Sequence, residues 1–231
     1  MSLHFNLLTL FPEMFPGSLG QSLSGKAHVR GDWSYSAVNI RDFADGVHKS
    51  VDDTPYGGGA GMVMRADVVE KTVLSLPNAG RKIYLSPRGR VLDQRMVQEL
   101  SAEPSITLLC GRYEGVDQRV LDTQGFEEIS IGDYVLSGGE PAAIILMDAC
   151  IRLLPGVMGN DLTAGEESFS ERSGGLLEYP HYTRPNPWVA ADGESHSVPD
   201  ILTEGHHAKI EEWRREQSLE ITRKNRPDLL K

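Results

Sequence analysis

Tyr84-Leu85-Ser86-Pro87-Arg88-Gly89, Leu109-Cys110-Gly111-Arg112-Tyr113-Glu114-Gly115 and Ile131-Gly132-Asp133-Tyr134-Val135-Leu136-Ser137-Gly138-Gly139-Glu140 are three glycine-bearing loops. Each stands at the end of a stretch that reads as a β-strand. A strand ending in glycine lets a ligand touch the backbone directly, because no Cβ stands in the way. Three such ends predict a single ligand pocket at one edge of an α/β sheet. The side chains among the glycines are Tyr84, Leu85, Tyr113, Tyr134 and Leu136. Aromatic and apolar walls with main-chain donors suit a nucleoside-like cofactor, and an adenine ring better than a polyphosphate. Any one tyrosine is better read as packing at a strand end; the repetition across three loops favours the pocket.

Working outward, strands are predicted over residues 3–11, 34–40, 82–86, 106–110 and 128–136, with helices over 66–76, 92–100 (opened by Asp93), 116–123, 141–154 and 206–226. The strand–helix alternation predicts an α/β fold with a mostly parallel sheet. The helix after the third loop is apolar except for Asp148 and Arg152, and Pro141 suits its first turn. Between Gly156 and Gly205 the periodicity fades and Gly, Ser, Pro and Asn accumulate, which reads as a long linker or lid. The last helix carries Ile210, Trp213, Gln217 and Ile221 on one stripe.

A chain of 231 residues is long enough for one or two domains with a proper core. No apolar run reaches the length of a membrane span and the N-terminus lacks a secretory pattern, so a cytoplasmic protein without membrane partner is expected. Cys110 and Cys150 lie in apolar segments away from any Cys/His cluster and read as packed thiols. A formal net charge of −10 argues against non-specific polyanion binding. From His206 onward, however, seven Lys/Arg stand against five Asp/Glu, so this tail is the candidate phosphate-facing surface.

Several residues invite chemistry. Gly57-Gly58-Gly59 with Gly61 does not match a phosphate loop, since Met62 stands where Lys would be needed. A glycine turn is the better reading, although Asp52, Asp53 and Tyr56 could face a substrate. Arg152 follows Asp148 by four residues, and by spacing alone a helical ion pair is favoured over a role at developing negative charge. Glu166 and Glu167 are either a solvated acidic pair or a carboxylate carried by a mobile loop. His181, His206 and His207 match no strong metal pattern and read as structural or RNA-facing.

Ser86-Pro87-Arg88-Gly89, Gly111-Arg112-Tyr113-Glu114-Gly115-Val116-Asp117 and Ile131 to Glu140, in this order, resemble the bacterial tRNA (guanine-N1)-methyltransferases. Leu10-Phe11-Pro12-Glu13-Met14-Phe15, Asp52-Asp53-Thr54-Pro55-Tyr56-Gly57-Gly58-Gly59, Pro180-His181-Tyr182-Thr183-Arg184-Pro185 and Gly205-His206-His207 extend the likeness over essentially the whole chain. The resemblance implies a SPOUT-class enzyme with a deep trefoil knot, acting as a homodimer with tRNA, not DNA, as its partner. It implies transfer of a methyl group from S-adenosylmethionine to N1 of guanosine 37, just 3′ of the anticodon, and a dependence on magnesium, whose ligands the sequence does not assign.

By the same resemblance, cofactor contacts map onto Tyr84, Leu85, Ser86, Pro87, Gly111, Tyr113, Ile131, Gly132, Asp133, Tyr134, Val135, Leu136, Gly138 and Gly139. Glu114 faces the target guanine, and Asp52, Tyr56, His181, Arg184, His206 and His207 face guanine or tRNA. Arg152 matches the family's arginine, which reverses the reading by spacing. The family's base is usually an aspartate; Glu167 stands there, before Ser168-Phe169, with Asp161 and Glu166 as alternatives. A proline that the family often carries one residue later stands here at 141. The implied division is a cofactor domain over 1–155, a linker or lid over 156–175 and a helical tRNA-binding domain over 176–231. The rival readings are a knotted methyltransferase acting on a ribose 2′-oxygen or on rRNA, and a non-catalytic RNA-binding module.

Overall fold

Residues 2–159, 167–170 and 172–230 are described by the computed structural model of the chain. They fall into two units, Met1–Gly159 and Asn160–Lys231. The first begins with β1 (Leu3–Thr9), an apolar run buried on both faces. It stops two residues short of the expected end, where Pro12 starts a 3-10 turn and Thr9 Oγ1 accepts the Phe11 N–H at 2.9 Å. A helix that the sequence pattern does not announce follows, α1 (Ser22–Arg30). Its pattern is weak because Gly25 sits mid-helix, where a Cβ would overlap the Gly20 backbone.

Next come β2 (Trp33–Asn39), a short antiparallel arm of β3 (Asp52–Asp53) and β4 (Val63–Met64), and α2 (Ala66–Leu74). Then β5 (Arg81–Val91), α3 (Gln94–Ser101), β6 (Ser105–Leu109), α4 (Gln118–Gln124), β7 (Glu127–Ser130) and α5 (Glu140–Ile151) complete the unit. The five long strands form one parallel sheet in the order β2-β1-β6-β5-β7. Alternate residues feed two cores: Phe5, Leu7, Leu100 and Leu146 pack under α1, α3 and α5 on one face, while Leu8, Val69, Leu109 and Leu121 pack under α2 and α4 on the other. Helices on both faces are the usual cover of a parallel sheet, whose neighbouring strands cannot be joined by tight hairpins.

Two strands depart from expectation. β7 ends at Ser130, not at Leu136. The Ser130 hydroxyl accepts the Gly132 N–H at 3.2 Å and Gly132 adopts φ +143°, so the chain turns out of the sheet. β5 runs past Ser86 to Val91, yet Leu85 and Arg90 both pair with Ile129. Ser86 to Gly89 therefore loop out and return, with Pro87 at the point where a ladder donor is not required. The last buried helix of this unit ends at Ile151, and Arg152 is its C-cap.

Asp93 caps α3 by accepting the Met96 N–H at 2.7 Å. That bond, more than Arg90 beside it, holds its carboxyl below the usual range. Asp93→Ala is expected to lower the unfolding free energy by about 1 kcal/mol at neutral pH. Because the folded value is depressed, the contribution is present above the unfolded carboxyl pKa of about 4 and fades as pH falls through the lowered folded value. Urea unfolding of both proteins at pH 7 and at strongly acid pH checks the size and its disappearance.

The second unit carries some regular structure within residues 156–205, the stretch that reads as a long linker or lid. It contains the antiparallel pair β8 (Trp188–Val189) and β9 (Ser195–His196). Its main helix is α6 (His207–Asn225). Ile210, Trp213, Gln217 and Ile221 are half-buried, while Ser218 and Thr222 are the buried positions. Thr222 Oγ1 donates to Ser218 O at 2.7 Å and accepts the Leu177 N–H at 2.9 Å. The helix is thus seated partly by hydroxyls, which an apolar stripe does not reveal.

Candidate functional site

β6, β5 and β7 are neighbours in that order and run in the same direction. Their carboxyl ends therefore lie side by side, with strands about 4.8 Å apart. The loops that follow them converge on one cleft, the position where open parallel sheets bind ligands. The cleft has a volume of about 390 Å³ and is lined by Tyr84 to Arg88, Gly111 to Val116, Ile129 to Gly132, and Tyr134 to Gly139. Small-molecule clefts span roughly 300–1,000 Å³, so a cofactor of nucleoside size fits.

Backbone contacts lock the three loops together. Gly139 N–H donates to Gly111 O at 3.0 Å and Leu92 N–H to Ser130 O at 2.7 Å. The glycines permit this approach. A Cβ at Gly139 would lie 2.7 Å from Cys110 Cα, and one at Gly111 would lie 2.8 Å from the Tyr84 ring. The Tyr84 ring is only 6% exposed, and burial pushes its hydroxyl above the ordinary value. It is a wall of the cleft rather than an acid or base. Tyr134 folds over its own loop, its hydroxyl donating to Ile131 O at 3.2 Å. Tyr113 has φ +59°, a left-handed backbone that costs a non-glycine residue about 1–2 kcal/mol. Such strain concentrates at functional sites.

Of the fourteen sequence-predicted cofactor residues, the cleft gathers Tyr84, Leu85, Ser86, Pro87, Gly111, Tyr113, Ile131, Gly132, Tyr134, Val135, Leu136, Gly138 and Gly139 on its walls. Asp133 lies in the same turn but not on the wall. Val135 is 85% exposed, an apolar side chain displayed at the mouth. Cys110 behind the second loop is fully buried, and burial, aided by the charge of Glu140, pushes its thiol well above the usual range. Cys150 is pushed up to about 12 by burial, so both stay protonated.

Glu114 lines the cleft with an exposed side chain. It also reaches the glycine-rich loop, since a Cβ on Gly61 would overlap its carboxylate. That loop is the tip of the β3–β4 arm, fastened to the second loop by Glu114 N–H to Met62 O and Met64 N–H to Gly115 O, both 2.9 Å. Asp52 is half-buried in β3, whereas Tyr56 at the tip is 97% exposed. Arg152 belongs to the first unit, half-buried at the end of α5.

Glu167 belongs to the second unit. It is half-buried at the start of a turn in which Ser170 N–H donates to Glu167 O at 3.2 Å and Ser168 Oγ accepts the Glu178 N–H at 2.9 Å. Asp161 and Glu166 lie outside the described residues. His181 pairs with Glu178 at 2.8 Å, and Arg184, His206 and His207 are exposed. Among the described residues, no group of three His, Cys, Asp or Glu could hold a metal ion, and no helix is long and apolar enough to cross a membrane.

Sequence reasoning passed over Arg112 and Glu140, though both stand inside the quoted loops. Arg112 lines the cleft, and Glu140 is fully buried and paired with it at 2.8 Å. The available signal was a carboxylate opening an otherwise apolar helix.

The sequence profile of the tRNA (Guanine-1)-methyltransferase TrmD family matches residues 3–231. The tRNA (guanine-N(1)-)-methyltransferase of Rhodospirillum rubrum is 60% identical over 230 residues, which cover 99% of this chain and 93% of that protein. The tRNA (guanine-N(1)-)-methyltransferase of Rhizobium etli is 56% identical over 231 residues, covering 99% and 96%. That of Brucella ovis is 55% identical over 226 residues, covering 98% and 90%.

Proposed function

Since this chain belongs to the tRNA (guanine-1)-methyltransferase family, we propose how its residues carry out that reaction, the transfer of a methyl group to N1 of guanosine 37 in tRNA. The observation that carries the reading is the convergence of three interlocked glycine loops on one nucleoside-sized cleft. The protein is an enzyme, and its family implies S-adenosylmethionine as methyl donor. When bound, that cofactor supplies a methyl group already activated on a sulfonium.

The thirteen cleft residues and Asp133 hold and orient the cofactor, by main-chain groups where glycine opens the way. Fixing the donor and the guanine in one geometry replaces a costly bimolecular encounter. Guanine N1 carries a proton at neutral pH, so a base has to take it as the methyl arrives. Glu167 is that base. Negative charge then grows on the ring, chiefly at O6, and the Arg152 guanidinium stabilises it. Glu114 faces the guanine, with Asp52 and Tyr56 on the arm beside it. His181, Arg184, His206 and His207 of the second unit face the tRNA.

The region 1–155 then serves as the knotted cofactor domain, 156–175 as a lid and 176–231 as the tRNA-binding domain, in a cytoplasmic homodimer. Exposed Phe11, Leu23 and Ile145, on or beside elements that pack together, support an apolar subunit contact. Magnesium, which the resemblance implies, finds no three-ligand cluster among the described residues.

The test is methyl transfer from labelled S-adenosylmethionine to unmodified tRNA transcripts carrying guanine or adenine 3′ of the anticodon. Transfer to the guanine transcript alone is expected. Label on a ribose, or in both transcripts, would point to a 2′-oxygen target. Binding of tRNA with no transfer to either would leave a non-catalytic binding module.

A further inference from the structure

Behind the third loop lies a buried carboxylate that the chemistry above does not use. Glu140 is the first residue of α5 and has no exposed surface. Its Oε1 accepts the Thr9 hydroxyl at 2.7 Å, and Thr9 in turn accepts the Phe11 N–H. Its Oε2 faces Nη2 of Arg112 at 2.8 Å. This is an ion pair whose angle falls outside hydrogen-bond geometry, so Oε2 has no hydrogen bond.

Part of the Arg112 guanidinium is committed to the loops, although its Nε is buried without a hydrogen-bond partner. Nη1 donates to Ser137 O at 3.3 Å, and the guanidinium carbon lies 4.5 Å from the centre of the Phe11 ring. A Cβ on Gly138 would overlap Nε of Arg112, so the group passes directly beneath that glycine. The pair thus ties the end of β1, the loop after β6 and the loop after β7 to one another.

A buried ion pair is a poor route to stability, because desolvation cancels most of the attraction and an apolar pair of similar volume does as well or better. The guanidinium still orients the loop, because the plane is held at Nη2 by the charge of Glu140 and at Nη1 by the Ser137 carbonyl. We propose that Thr9, Glu140 and Arg112 form a strut that sets the position of Ser137 to Gly139 and thereby the affinity of the cleft for its cofactor. Glu140 is a positioning residue and touches no reacting atom. The proposal rests on the reading of the cleft as the cofactor site.

Calorimetric titration of the full-length protein with S-adenosylmethionine tests both, together with steady-state transfer and thermal unfolding. The unsubstituted protein has to bind; if it does not, the cofactor reading falls first and the strut with it. If it binds, Glu140→Gln and Arg112→Lys are expected to raise the dissociation constant about tenfold. KM for the cofactor should rise in step, and for Glu140→Gln, which lies behind the cleft, kcat at saturation should stay within about threefold of the parent. Thr9→Val should shift affinity the same way by less, and it carries the test if Glu140→Gln does not fold. Folded variants that bind as tightly as the parent, or that lose kcat with affinity unchanged, overturn the strut.

Discussion

Glu167→Ala is expected to cut methyl transfer by about 10²–10⁴-fold, the range that a positioned general base contributes, with S-adenosylmethionine binding unchanged. The separation follows from where the residue sits. Glu167 lies in the second unit and is not among the described residues that line the cleft. Its turn is specified by bonds that do not involve the cofactor: Phe169 N–H donates to Leu176 O at 3.0 Å, and Phe169 takes φ +66°. The family's usual aspartate is one methylene shorter, so Glu167→Asp should retain most of the activity, whereas Glu167→Gln, which cannot accept the proton, should behave like alanine. Single-turnover transfer to the guanine transcript at several pH values is the measurement. Near-normal turnover by Glu167→Ala would move the base to Glu166 or Asp161.

The second large effect is at Arg152. Arg152→Ala is expected to lower kcat by about 10²–10³-fold, the loss typical of removing one donor to developing charge. A rival explanation exists for its position. A cation at a helix C-terminus interacts favourably with the helix dipole, worth about 0.3–1 kcal/mol, and Arg152 is the C-cap of α5. The two roles predict different losses. Capping alone would lower stability by that amount and leave turnover intact, while the assigned role costs rate out of proportion to stability. Arg152→Lys keeps the charge but not the planar fork, and should recover only part of the rate. Thermal unfolding measured beside kcat decides between them.

Much of the sheet was legible because its strands are short apolar runs closed by Gly or Pro. β6, buried along its whole length, reads directly from Ser105-Ile106-Thr107-Leu108-Leu109. Asp93 announced α3 because a capping carboxylate works through its immediate neighbours. α1 escaped notice for the opposite reason, since Gly25 is there to let another turn approach and spoils the helical pattern. The third loop read as strand because Tyr134, Val135 and Leu136 have strand-like side chains. In the fold they stand at the mouth of a cleft, where no neighbouring strand is available to pair with them.

The residues alone determined that three strand ends carry glycine, which residue types surround them, and that a glutamate, Glu167, precedes Ser168-Phe169. These are local properties of covalent order. Only the tertiary structure decided that β5 lies between β6 and β7, so that loops separated by 19 and 15 residues share one cleft. It alone buried Glu140 against Arg112 and Thr9, partners 28 and 131 residues away. Strand order and the burial of a charge depend on which distant surfaces meet, and spacing along the chain carries no direct record of that.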